Sequence, residues 1–184
     1  TDTPLRLIYV GRIFRDKGID LLLKALAACP ADTPITLTLV GSDHGGYTEQ
    51  MQALTARLHL EDKVQFLGSR TDVPQLLQAA DLFVHPATCQ EGFGITLIEA
   101  MASGVPCLAF PKGAIPEIIG PEIDGFLTEE VSAAALTAGI NRALELFTKA
   151  PHHWHTLCKN ARQKAELFSI ERTVAQLEAL YQEQ

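Results

Sequence analysis

Leu5-Arg6-Leu7-Ile8-Tyr9-Val10-Gly11 is a short, almost wholly apolar run closed by a glycine. A strand buried on both faces reads this way, whereas a half-exposed strand would alternate. Behind it, residues 17–28 place Ile19, Leu22, Leu23, Leu26 and Ala27 at helical spacing. The same alternation recurs down the chain. Strands are predicted at Ile35–Val40, Val64–Gly68, Leu82–Val84, Pro106–Phe110 and Gly125–Leu127. Helices are predicted near 46–60, Val73–Ala80 and Gly94–Ala102. Three further helical stretches, 132–148, 152–167 and 170–183, close the chain. Strands alternating with helices give a Rossmann-like, doubly wound α/β sheet of about six parallel strands. Such sheets bind ligands at the carboxyl ends of their strands. The loops after Val10, Val40, Leu67, Val84 and Phe110 therefore become the places to search.

The chain has 184 residues, 47% hydrophobic and 20% charged, which suits one globular domain. Its formal charge of −7 argues against nucleic acid as a partner, because such binding rests on Lys and Arg neutralising phosphates. One small anion is still compatible, since a local pair of cations suffices. Cys29, Cys89, Cys107 and Cys158 are scattered and form no C-x-x-C, so they read as free thiols of a reducing compartment. No signal peptide and no apolar run of about 18 residues is visible. The expected location is cytoplasmic, with peripheral attachment at the inner face of the membrane open to a longer protein.

The strongest chemical signal is Glu91-Gly92-Phe93-Gly94-Ile95-Thr96-Leu97-Ile98-Glu99-Ala100-Met101. Two glutamates bracket a glycine-rich turn that opens a helix. The first N–H groups of a helix lack partners within it, and with the helix dipole they make an anion site. Glu99 sits a little over one turn inside, and helical side chains lean toward the N-terminus. Its carboxylate can thus accept hydrogen bonds from a diol near the helix start. Glu91 stands just before the helix and can hold sugar hydroxyls. The matching cations are expected in Gly11-Arg12-Ile13-Phe14-Arg15-Asp16-Lys17-Gly18. Arg12 grips phosphate oxygens in pairs and Lys17 adds a point charge. No Asp-x-Asp occurs, so no metal held by paired aspartates is expected.

These features together resemble the family 4 retaining glycosyltransferases of the two-domain GT-B type. The resemblance rests on G-R-x4-K-G from Gly11, on the E-x7-E block from Glu91, and on Ala100-Met101-Ala102-Ser103-Gly104-Val105-Pro106. Gly68 to Val73, Gly113 to Ile119 and Phe168-Ser169-Ile170-Glu171-Arg172 extend it over essentially the whole chain. It implies a nucleoside-diphosphate sugar as donor, with a UDP-sugar favoured, no cofactor, and a glycan or lipid-linked acceptor of polysaccharide or glycolipid synthesis. It implies that Gly11, Arg12 and Lys17 hold the diphosphate, that Glu91 contacts the sugar, and that Glu99 holds the ribose. Phe93, Gly94 and Ile95 would offer backbone N–H groups. Arg70 and the loop opening at Gly41 fall where the family places the nucleobase. Residues 1–184 would be the donor half alone, with 170–184 crossing toward an N-terminal acceptor domain.

Each residue also has a plainer reading. Arg70 can be an ordinary solvated arginine, Glu117 can cap a turn, and His85 can be structural or line the pocket. His152, His153 and His155 lack the further ligands that structural zinc needs. Cys89 has no base beside it in sequence that would make it a nucleophile. Two rival functions stand beside transfer. One is an epimerase or phosphorylase of the same architecture. The other is a donor-binding module without turnover.

Overall fold

The computed structural model describes residues 3–90, 92–172, 174 and 178. Among these, six strands form a single sheet: β1 (Leu5–Val10), β2 (Ile35–Val40), β3 (Val64–Gly68), β4 (Leu82–His85), β5 (Cys107–Ala109) and β6 (Gly125–Leu127). Their spatial order is β3-β2-β1-β4-β5-β6, and every neighbouring pair runs parallel. The connecting helices are α1 (Ile19–Ala27), α2 (Tyr47–Arg57), α3 (Val73–Gln78), α4 (Ile95–Ala102) and α5 (Ile115–Ile118). They are followed by α6 (Ala133–Lys149) and α7 (Pro151–Glu166).

Alternation along β1 separates two cores. Leu5, Leu7 and Tyr9 pack with Leu22 and Leu26 of α1 and with Leu136 and Ile140 of α6. Ile8 and Val10 point the other way, into Leu97, Ala100 and Met101 of α4. Both faces of the sheet are thus covered, and continuous apolar strands are the consequence. Helix α7 serves both cores: Trp154 and Leu157 join the first, Ala161 and Ala165 the second. That face repeats at three to four residues, as a helix requires. Ser132 caps α6 by accepting the Ala135 N–H at 3.0 Å.

One helix boundary and one unpredicted helix differ from the sequence reading. The helix expected from residue 17 begins at Ile19, because Gly18 is left-handed (φ 64°) and a separate 3₁₀ turn spans Arg15–Lys17. Lys17 is therefore a loop residue. The four-residue helix α5 is too short to leave a periodic pattern. Of the stretch 170–183, residues 170–172, 174 and 178 are helical and Val174 is exposed. Leu177 and Leu180 lie outside the described residues.

The turn before β6 buries a carboxylate. Asp124 is 4% exposed and accepts the Gly120 N–H at 2.8 Å. Burial pushes this carboxyl up, while the Gly120 hydrogen bond and the positive charge of Lys164 oppose the shift. A carboxyl raised in the folded state favours folding while protonated, and that contribution is lost as pH rises through its folded pKa. Asp124→Asn is therefore expected to flatten the pH profile of thermal stability above about pH 4, the ordinary aspartate range. A wild-type protein that gains stability relative to Asp124→Asn as pH rises through that window would contradict this account.

Candidate nucleotide-sugar site

The strand order reverses between β1 and β4, and this is where doubly wound sheets open a crevice. A cleft of about 340 Å³ lies there, lined by Gly11, Arg12, Lys17, Gly94, Ile95 and Thr96 among others. It thus brings together the first loop and the start of α4, which are more than 70 residues apart in sequence. Gly94 is the N-cap of α4 in left-handed conformation (φ 70°), and among the described residues no side chain caps this end. The first bonds of the helix are made by the N–H groups of Leu97 and Ile98 to the Gly94 carbonyl. Those of Ile95 and Thr96 precede them, at the cleft wall. An uncapped helix start beside two cations is an arrangement whose charge suits an anion.

Two neighbouring hollows share walls with this cleft. One, of about 360 Å³, shares Val10 and holds Val73, Leu77 and Glu99. The other, of about 490 Å³, shares Phe93 and Ile95 and holds Glu99 and Phe168. Glu99 thus stands one helical turn along α4 from its start, exposed to solvent. Phe93 (48% exposed) packs edge-on against Phe168 with ring centres 5.7 Å apart, and Ile95 is 65% exposed. A hollow of about 400 Å³ between β6 and α6 contains none of the expected residues.

Glycines and one tyrosine hold the first loop in place. Tyr9 Oη donates to the Arg12 carbonyl at 2.7 Å. The Gly11 N–H bonds the Val40 carbonyl and the Ile13 N–H bonds the Ser42 carbonyl, both at 2.9 Å. The loops after β1 and β2 thereby continue the pairing of their strands. A Cβ on Gly41 would stand 1.7 Å from the Gly11 carbonyl oxygen. The loop is tied to the segment after β4 as well. The Asp16 carbonyl accepts the Thr88 N–H at 2.9 Å and the Thr88 hydroxyl at 3.2 Å. A Cβ on Gly18 would meet the Pro86 carbonyl oxygen at 2.0 Å.

Not every expected residue reaches the cleft. Gly41 packs against Gly11 instead of lining it. Arg70 gives its guanidinium to Asp72 through two bonds of 2.8 Å, both partners exposed, which holds the Asp72 carboxyl below its ordinary range. Glu91 lies outside the described residues. His85, at the end of β4, does line the cleft. Sequence reasoning missed Tyr9, Asp16 and Thr88, whose roles arise from contacts that no local pattern records. His152, His153 and His155 are exposed on α7, and among the described residues no group of three or more metal-type side chains forms.

The chain matches the family described as glycosyl transferases group 1 over residues 1–164. It belongs to that family. N-acetyl-alpha-D-glucosaminyl L-malate synthase of Bacillus anthracis is 33% identical, over 95% of this chain and 44% of that enzyme. Lipopolysaccharide core biosynthesis mannosyltransferase LpsB of Rhizobium meliloti is 29% identical, over 94% of this chain and 50% of its own length. Anabaena HepE, solved in complex with UDP-glucose, superposes with a TM-score of 0.83 and 31% identity, covering 96% of this chain and 49% of HepE. This group 1 domain therefore spans about half the length of the relatives it matches. The doubly wound α/β fold expected from the sequence is the one the family shares, that of a GT-B glycosyltransferase domain. Among the described residues no helix is long and apolar enough to cross a membrane.

Proposed function

We propose that this domain binds a nucleoside-diphosphate sugar and serves as the donor half of a retaining, metal-independent glycosyltransferase. The observation that carries the reading is the meeting of Arg12, Lys17 and the uncapped start of α4 in one cleft at the strand-order reversal. Two cations and a helix N-terminus complement a diphosphate leaving group, and they stabilise the charge that develops on it as the glycosidic bond breaks. This chemistry asks for no metal at the leaving group. In this reading Glu99 holds the ribose diol and Glu91 orients the sugar. It assigns the loop opening at Gly41, and Arg70, to the nucleobase.

The HepE complex favours uridine as the base. The names of the relatives favour a glycan or lipid-linked acceptor in polysaccharide, lipopolysaccharide or glycolipid assembly. A second domain, N-terminal to this one, would bind that acceptor and exclude water from the cleft. The stretch 170–184 would cross toward it, and the whole enzyme would work in the cytoplasm or against the inner face of the membrane.

Calorimetric titration with UDP, UDP-glucose and GDP-mannose, each with and without EDTA, tests the reading. UDP or UDP-glucose is expected to bind equally well with the chelator present. Glu99→Gln is expected to weaken UDP about three- to thirtyfold, the cost of one or two hydrogen bonds to a charged group, while pyrophosphate binding stays as it was. No binding of any nucleotide at millimolar concentration, or binding abolished by EDTA, would overturn it.

A further inference from the structure

The donor reading gives no role to His85, a buried polar residue that lines the cleft. His85 closes β4, the strand beside β1 at the reversal of strand order, and is 5% exposed. Leu82 and Val84 of the same strand face the first core, and Phe83 faces the second. His85 follows Phe83 by two residues, and the two rings stack with centres 6.2 Å apart and planes at 18°. Ala109, its register partner on β5, belongs to the second core, as does Val10 of β1. An apolar side chain would suit these surroundings, since a buried polar group is costly unless it is hydrogen-bonded. Yet the strand ends in an imidazole, at the level where the second core gives way to the cleft.

Position decides which part of a ligand this ring meets. The loop after β1 brings Arg12 and Lys17 to the cleft, and the chain after β4 brings the start of α4. Strand β4 neighbours β1 in the sheet and precedes α4 in the chain, so His85 stands where these two walls join. A group held by both walls lies against the imidazole. The ring has two nitrogens, so one can bond the protein while the other faces a ligand. An imidazole N–H donates in either charge state, and a bond to a charged oxygen is stronger than one between neutral groups. Resting on the donor reading above, we infer that His85 is a diphosphate-binding residue. A ring N–H donates to a phosphate oxygen held between Arg12, Lys17 and the start of α4.

The test titrates the 184-residue chain with inorganic pyrophosphate, UDP and UDP-glucose, in wild type, His85→Phe and His85→Gln. His85→Phe keeps a ring to stack on Phe83 and removes the N–H, whereas His85→Gln keeps a donor and gives up the ring. His85→Phe is expected to weaken pyrophosphate and UDP by the same factor, about ten- to thirtyfold, and His85→Gln to recover part of that loss. In the wild type, the nitrogen-15 resonances of the His85 ring, assigned by their absence from His85→Gln, are expected to move as pyrophosphate saturates the protein. Should His85→Phe fail to fold, these resonances and His85→Gln decide. An imidazole that serves the fold alone would lower the melting temperature of both variants and leave pyrophosphate affinity at the wild-type value. That result, ring resonances that stay in place at saturation, or a loss confined to UDP-glucose overturns the proposal while the donor reading stands. Wild-type protein that binds none of the three ligands overturns the donor reading and this proposal with it.

Discussion

Gly41→Ala is expected to destabilise the domain by at least about 3 kcal/mol and to abolish measurable donor binding, although Gly41 is not in the cleft. The added Cβ would lie 1.7 Å from the Gly11 carbonyl oxygen and 2.6 Å from its carbon. Both are backbone atoms, so no side chain can rotate aside. The loop after β2 and the loop after β1 must separate, and with them go the bonds from Gly11 to Val40 and from Ile13 to Ser42. Arg12 lies between those two bonds, so its position is lost with the pairing. In a domain of this size the stability loss corresponds to a melting temperature lower by roughly 6–12 °C. Gly92→Ala is the control: a Cβ there meets nothing within 4 Å, and a stability change of under about 0.5 kcal/mol is expected. If Gly41→Ala melts within about 1 kcal/mol of wild type and still binds UDP, the loops yield in a way this packing does not allow.

The contrast between those two glycines marks what sequence could and could not convey. Strands buried on both faces announce themselves as apolar runs, so all six could be placed within a residue or two of their observed ends. The helices that cover them carry a 3.6-residue period for the same reason. The two segments that meet in the candidate cleft were legible because each is local: a cationic loop closing one strand, and a glycine turn opening one helix. Which glycine serves a turn and which a close approach was not legible, because Gly41 is fixed by Gly11 thirty residues away. Asp16 and Thr88 are 72 residues apart, and no periodicity records their contact. Arg70 shows the opposite failure. Its sequence position fits a base contact, yet Asp72 two residues on takes both faces of its guanidinium fork. The helical period, read from residue 17, overran the start of α1, whereas the left-handed Gly18 leaves Lys17 in the cationic loop where its charge was expected.

Arg12→Ala and Lys17→Ala should each weaken UDP binding roughly ten- to a hundredfold, the worth of a hydrogen bond between charged partners. Neither change should move the melting temperature by more than a degree or two, because Arg12 is exposed and Lys17 lies in a loop. Arg12→Lys should recover only part of the loss, since an ammonium replaces the charge but not the paired geometry of a guanidinium. Ionic strength supplies the decisive axis. The chain carries a formal charge of −7, so its distant field opposes an anionic ligand while the cleft attracts it. Salt screens the exposed part of both, with a Debye length of about 10 Å at 0.1 M. The penalty for losing Arg12 should therefore be largest near 0.01 M salt and shrink toward 1 M. A bidentate contact from a buried guanidinium would instead keep its penalty at every salt concentration. An Arg12→Ala variant that binds UDP like wild type at low salt would remove the cationic loop from the site and leave the start of α4 to hold the diphosphate alone.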